Sequence, residues 1–288
     1  VLKKIKAYFS LVKFSHTVFA MPFALIGFAL AIKEETNVFN WELLIFVMLC
    51  MVFARNAAMA FNRYCDREFD KRNPRTAKRE IPTGKIIAKN SLIFTIINSL
   101  LFFLCAGFLN QTTLLLSPLA LLIVLTYSYT KRFTYLSHLV LGLGLSIAPA
   151  GAYIAVTETI NLSVIVLSIS VLLWTAGFDI IYSLQDEDFD KNNKLFSIPV
   201  KFGRVNSLII STILHLFCIA GIVYFNILSQ ANPIIWIGTI IFISLLIYQH
   251  LIIKKDDISK INIAFGTLNG IASVIFATFA IISFYYTA

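Results

Sequence analysis

The chain has 288 residues, 58% of them apolar and 14% charged, with a formal net charge of +9. A soluble domain carries roughly 25% charged residues, so this composition excludes a water-soluble globular protein and predicts an all-α polytopic membrane bundle. The basic residues follow the loops instead of gathering in one polar domain, which excludes a nucleic-acid partner and leaves membrane lipid as the surroundings.

A helix needs about 20 mostly apolar residues to cross a bilayer. About nine stretches meet that demand: 14–32, 41–62, 91–109, 112–130, 135–156, 162–184, 205–227, 233–253 and 263–285. They are expected to form a single transmembrane domain over 1–288, packed around a central cavity. The first run follows basic residues, and Ala29-Leu30-Ala31 resembles a cleavage site, but its length favours a span over a signal peptide. The fifth is interrupted by Gly142, Gly144, Pro149 and Gly151, which membrane helices tolerate where they pack closely or line a cavity.

With a cytoplasmic N-terminus, 23 of the 24 lysines and arginines fall in the N-terminal tail, the inner half of the second span and the inner loops; Lys33 is the exception. This positive-inside pattern supports the span count and the orientation, and it suits the inner membrane of a bacterium. Two inner loops are long and polar, about 66–89 and 185–204. Pro74, Pro82 and Gly84 break the first, Pro199 and Gly203 the second, and between the breaks there is room for a short cap helix in each. The outer loops are short and carry little charge, so the chemistry is expected on the cytoplasmic side. Cys50, Cys65, Cys105 and Cys218 show no metal-binding spacing and read as small hydrophobes, and His16, His138, His215 and His250 are scattered.

Each long inner loop opens with an acidic motif at the end of a span. The first is Asn62–Asp70 (NRYCDREFD), the second Asp179–Asp190 (DIIYSLQDEDFD). Asp66 and Asp186 are 120 residues apart, and the order of span, acidic end, basic loop and span occurs twice, as in a weak internal repeat. A helix continuing through the first motif places Asn62, Asp66 and Asp70 on one face, and the second places Asp179, Tyr182, Asp186 and Asp190 on another. Four converging carboxylates repel one another unless divalent cations bind them, and hard cations such as Mg²⁺ prefer oxygen ligands. Asp66, Asp70, Asp186 and Asp190, with the neutral oxygen of Asn62, are therefore the candidate metal ligands. Arg67, Lys131 and Arg132 are candidates to hold a departing diphosphate. Glu68, Glu187, Asp188, Lys71 and Arg72 read as solvated loop charges. Arg55 and Asp179 lie deeper, seven residues before Asn62 and Asp186; they either line a substrate pocket or pair with each other. Asn56, Tyr127 and Tyr182 are further pocket candidates.

These two motifs, with Arg75–Gly84 (RTAKREIPTG) after the first and Lys131–Thr134 (KRFT) after the fourth span, resemble the signatures of the UbiA superfamily of membrane prenyltransferases over essentially the whole chain. The nearest branch is the 4-hydroxybenzoate polyprenyltransferase-like group. The resemblance implies an enzyme that transfers a polyprenyl group from polyprenyl diphosphate to an aromatic acid in quinone biosynthesis. It implies that Asp66, Asp70, Asp186 and Asp190, with Asn62, bind two Mg²⁺ bridging the diphosphate, and that Arg67, Lys131 and Arg132 steady the leaving group. Two departures bear on the acceptor. The chain has Asn62-Arg63 where the family often has Asn-Asp, and Leu195–Pro199 (LFSIP) where ubiquinone-pathway members often have Lys-Ser-Thr. Both resemble a sub-branch thought to prenylate 1,4-dihydroxy-6-naphthoate in the alternative menaquinone route. Other acceptors of the superfamily (haem, chlorophyllide, a lipid headgroup) stay open, as does a divalent-cation transporter, which also uses intramembrane acids and many spans.

Overall fold

A computed structural model describes residues 2–13, 19–35 and 38–286. A short helix, α1 (Leu2–Leu11), precedes a bundle of α2 (Met21–Glu35), α3 (Trp41–Cys65), α5 (Ala88–Leu109), α6 (Gln111–Thr130), α7 (Ser137–Thr157), α8 (Leu162–Ser183), α10 (Ile198–Leu228), α11 (Ile235–Ile252) and α12 (Asn269–Tyr285). Two short helices, α4 (Arg67–Arg72) and α9 (Glu187–Asn192), follow α3 and α8. A π-helical turn, Ile263–Leu268, leads into α12.

Eight helices among the described residues are long and apolar enough to cross a membrane. The first expected span corresponds to α2, of 15 residues; residues 14–18 of that expectation, with His16, lie outside the described residues. Large apolar side chains such as Leu100, Phe108, Leu115, Leu122, Phe217, Ile240 and Leu251 face outward, more than half exposed, as a lipid solvent favours. At the end of the bundle away from the acidic motifs, three asparagines start helices by accepting orphan N–H groups. Asn40 takes those of Glu42 and Leu43, Asn110 that of Thr113, and Asn161 that of Val164.

Two packed groups of helices leave the cavity between them. One is built by α2, α8, α10, α11 and α12 around Trp174, Phe23, Phe178, Phe242 and Phe276, with the Trp174 ring 5.1 Å from Phe23 and 4.9 Å from Phe178. The other joins α3, α5 and α6 through Cys50, Ala57, Phe102, Cys105, Ala106 and Leu121. Helix α7 belongs to the seam. Two of its interruptions are explained by contact: a Cβ at Gly142 would lie 2.4 Å from the Leu172 carbonyl oxygen, and one at Gly27 of α2 would lie 2.2 Å from that of Pro149; Gly144 and Gly151 line the cavity. Only glycine lets these backbones approach so closely.

The breaks in the two long polar loops differ in detail from the expectation. The short helices precede the prolines instead of lying between them, and Pro199 sits in the first turn of α10, where its missing N–H costs nothing. Gly203, at φ 74° and ψ 171°, then kinks α10.

Candidate active site

The acidic stripes are interrupted at their own aspartates. Helix α3 stops at Cys65 and α4 restarts at Arg67, with Asp66 between them at φ −91° and ψ 5°. Asp186 ends a 3₁₀ turn (Leu184–Asp186) at φ −103° and ψ 4° before α9 begins. The four-residue step survives the first break, because Asp66 N–H still bonds to the Asn62 carbonyl at 2.9 Å and Asp70 N–H to the Asp66 carbonyl at 2.7 Å. The two motifs thus share a backbone device: a span ends, an aspartate turns the chain, and a one-and-a-half-turn helix carries the next aspartate.

Both corners open onto one cavity of about 550 Å³. Its charged mouth is lined by Asn62, Asp66, Asp70, Asp186, Asp190, Lys131 and Arg132. Arg55, Tyr127, Asp179 and Tyr182 also line it, and at the far end the walls are Val47, Leu109, Leu116 and Ile154. Arg67 is not brought to the cavity: its Nη1 donates to the Tyr64 carbonyl at 2.8 Å and its guanidinium covers the Tyr64 ring. Asn56 is likewise not among the lining residues.

Each of the four mouth aspartates has a basic partner. Asp186 accepts from Arg75 Nε at 2.9 Å and Nη2 at 2.5 Å, and from Asn73 Nδ2 at 3.0 Å. Asp70 accepts from Arg79 at 2.6 Å, Asp190 from Lys131 at 3.1 Å, and Asp66 lies 3.5 Å from Arg132. Asn62 Nδ2 donates to Asp66 at 2.9 Å. The mutual repulsion expected of four carboxylates is therefore relieved by guanidinium and ammonium groups. Among the described residues no three acidic, histidine or cysteine side chains are gathered tightly enough to form a ready-made metal cage. The donor set nonetheless fits a hard divalent cation: every ligand atom is an oxygen, and Asp70 Oδ2 is buried without a hydrogen-bond partner.

Charge and burial set the mouth's protonation. Burial and the neighbouring Asp70 carboxylate push the Asp66 carboxyl up to about 6, against Arg132 and Lys131, which pull it down. Burial disfavours the charge on Arg75, but its bonds to Asp186 outweigh this and hold the guanidinium above its ordinary range. Lys131 behaves in the same way under Asp190, Asp186 and Asp179. Arg75 also donates to the Tyr182 hydroxyl at 2.9 Å, and Arg132 stacks over the rings of Phe69 and Tyr129.

Several expectations need correction. Arg55 and Asp179 do not pair. Arg55 caps the end of α1, donating to the carbonyls of Val12 at 3.0 Å and Lys13 at 2.9 Å, while Asp179 meets His138 Nδ1 at 2.7 Å. Glu187 is no solvated charge; it pairs with Arg204 at 2.7 Å. The histidines are not all isolated, since His215 Nδ1 and His250 Nε2 lie 2.8 Å apart between α10 and α11. Sequence reasoning passed over Asn73, Arg75, Arg79 and His138 as site residues. The arginines were visible as part of a basic loop, but nothing in their spacing singled them out from Lys71, Arg72 and Lys78.

Comparison with known proteins gives a consistent pattern. The model of the UbiA prenyltransferase family matches residues 20–285. The 4-hydroxybenzoate octaprenyltransferase of Aliivibrio fischeri is 30% identical over 237 residues, 82% of each chain. That of Tolumonas auensis is 32% identical over 238 residues, 83% of each. A UbiA homolog from Aeropyrum pernix K1 superposes with a TM-score of 0.84 at 31% identity, covering 93% of this chain and 97% of its own. A UbiA homolog from Archaeoglobus fulgidus bound to GPP and Mg²⁺ shares the fold, with a TM-score of 0.77 at 19% identity over 97% of this chain and all of its own.

Proposed function

Given that the chain belongs to the UbiA prenyltransferase family and is an aromatic prenyltransferase, we propose that it transfers a polyprenyl group from polyprenyl diphosphate to a 4-hydroxybenzoate-type aromatic acid, with Mg²⁺, at the inner face of a bacterial inner membrane. The observation that carries this reading is the pairing of two aspartate corners with four basic side chains at one mouth of a cavity whose far walls are apolar. The named activity of the Aliivibrio and Tolumonas relatives supports the acceptor.

Asp66, Asp70, Asp186 and Asp190, with Asn62, would hold the metal, which supplies Lewis-acid charge against the departing diphosphate when bound. With a metal held there, Arg75, Arg79, Lys131 and Arg132 would be free to donate to the phosphate oxygens. The allylic carbon–oxygen bond ionises as these cations take up the developing negative charge. The apolar walls keep water from the allylic cation, and the prenyl tail lies along them. An electron-rich ring carbon ortho to the hydroxyl attacks, and the ring loses a proton. Arg55, Tyr127 and Tyr182 line the cavity beside this point and suit an acceptor's carboxylate and hydroxyl.

A second reading, 1,4-dihydroxy-6-naphthoate as acceptor, is favoured by Arg63. This residue departs from the family pattern, is buried, lines the cavity and has Nε without a hydrogen-bond partner. Incubating the purified protein with Mg²⁺, a long polyprenyl diphosphate and each acid separately tests both readings. Prenylation of 4-hydroxybenzoate supports the first, prenylation of the naphthoate alone supports the second, and no product with either rejects both.

A further inference from the structure

Five aspartates line the cavity, and four of them each face an arginine or a lysine. Asp179 is the exception. Its Oδ2 lies 2.7 Å from His138 Nδ1, and its Oδ1 has no hydrogen-bond partner among the described residues. His138 stands at the start of α7, is fully buried and is not part of the cavity wall. Its Nε2 faces the backbone N–H of Ile198 at 3.4 Å. A backbone amide nitrogen can only donate, so Nε2 is the bare nitrogen and Nδ1 carries the hydrogen given to Asp179. A neutral imidazole fixes the direction of the carboxylate without cancelling its charge, as a cationic partner would. Asp179 is thus the one cavity carboxylate with no arginine or lysine in direct contact.

Its depth suits a proton acceptor. Asp179 precedes Asp186 by seven residues on α8, about 10 Å along a helix axis, between the charged mouth and the apolar walls. Thr175, one turn deeper, also lines the cavity and has a buried hydroxyl without a partner. A ring attacking the allylic carbon lies just beyond the diphosphate, which is the level of these side chains.

We infer that Asp179 is the catalytic base that removes the proton from the prenylated ring carbon, and that His138 is the positioning residue that aims it. The inference rests on the prenyl-transfer reading above. As the carbon–oxygen bond of the diphosphate ester breaks, its electron pair leaves with the diphosphate. Two ring π electrons form the new carbon–carbon bond. The carbon–hydrogen pair then returns to the ring, and the proton passes to Asp179 Oδ1.

The test uses the purified full chain with Mg²⁺, polyprenyl diphosphate and 4-hydroxybenzoate, either unlabelled or deuterated at both ring positions ortho to the hydroxyl. In the unaltered protein, product forms with no isotope effect on kcat, because ionisation is slower than proton loss. Asp179→Asn loses on the order of 10²-fold or more in kcat, keeps its KM for the diphosphate, and shows a primary isotope effect. His138→Leu shows the same isotope effect with a smaller loss. His138→Asn, whose side-chain amide can donate to the same carboxylate oxygen, recovers most of that loss. Reduced kcat without an isotope effect in Asp179→Asn overturns the inference, as does failure of His138→Asn to outperform His138→Leu. If His138→Leu does not fold, Asp179→Asn carries the isotope measurement alone. Absence of product from the unaltered protein with any aromatic acid rejects the function itself, an outcome distinct from a silent isotope effect in an active enzyme.

Discussion

The two aspartate corners look alike in sequence and backbone but differ in how tightly they are held. At the α8–α9 corner Asp186 accepts three hydrogen bonds, two from Arg75 and one from Asn73, at 2.5–3.0 Å, and its side chain is 10% exposed. At the α3–α4 corner Asp66 has the amide of Asn62 at 2.9 Å and a long contact to Arg132 at 3.5 Å, with its side chain 31% exposed. The difference separates two tasks that one motif can serve. Asp186 ties the loop after α4 to α8 through Arg75 and Asn73 and fixes the frame of the mouth. Asp66 is the loosely held carboxylate, made a weaker acid by burial and Asp70, and available to a cation.

The largest expected effect distinguishes the corners directly. Asp186→Ala and Asp66→Ala each lose on the order of 10²–10³-fold in prenyl transfer, because each removes charge that acts on the leaving diphosphate. Only Asp186→Ala also loses stability, by about 1–3 kcal/mol, because it strands Arg75 and Asn73. Thermal unfolding in detergent reads this split, and equal unfolding temperatures for the two variants would erase the distinction. Arg75→Ala is expected to lower kcat/KM by roughly 10–100-fold, because it removes a charged donor to the phosphate oxygens. Arg132→Ala should also lower kcat/KM, by removing a donor to the phosphate oxygens, without unfolding the loop.

Acidity gives a smaller and graded effect. In the metal-free protein Asp66 titrates near 6, above its ordinary 3.8, so it is protonated below that pH and must give up the proton when a cation binds. Mg²⁺ affinity therefore rises with pH through this range and levels off above it, and it falls by up to about tenfold per pH unit below. Titrating Mg²⁺ against activity between pH 5 and pH 8 checks the sign, which Asp66→Asn should flatten. The smallest effect belongs to Arg67. Because its guanidinium turns outward onto Tyr64, Arg67→Ala should change kcat/KM by less than about twofold; a loss comparable to that of Arg75→Ala would place it at the phosphates after all.

Much of this was legible before any coordinates. Hydropathy marked the spans, since a helix that must satisfy its own backbone in lipid leaves a long apolar signature. The four-residue spacing of Asn62, Asp66 and Asp70 marked the acid face, and the glycines and proline of α7 marked a seam between helices. What was not legible depends on contacts between distant residues. Arg75 reaches Asp186 across 111 positions, and His138 reaches Asp179 across 41. Local periodicity carries no information about such pairs. Nor does spacing reveal that the chain turns at Asp66 and Asp186, because the hydrogen bonds on either side of the first turn preserve the helical step. Of the two alternatives for Arg55 and Asp179, their mutual pairing failed for the complementary reason: each side chain found a nearer partner, the end of α1 for one and a buried imidazole for the other.

The central claim is that both corners grip one diphosphate together. A double-mutant cycle on Mg²⁺-dependent binding of a polyprenyl diphosphate tests it most directly, comparing Asp66→Ala, Asp186→Ala and the two combined. If the corners share one ligand, either single substitution removes nearly all metal-dependent binding and the double variant is no weaker than the poorer single one, within about twofold. Independent losses that multiply in the double variant would mean that the corners act on separate ligands, and the account would be wrong.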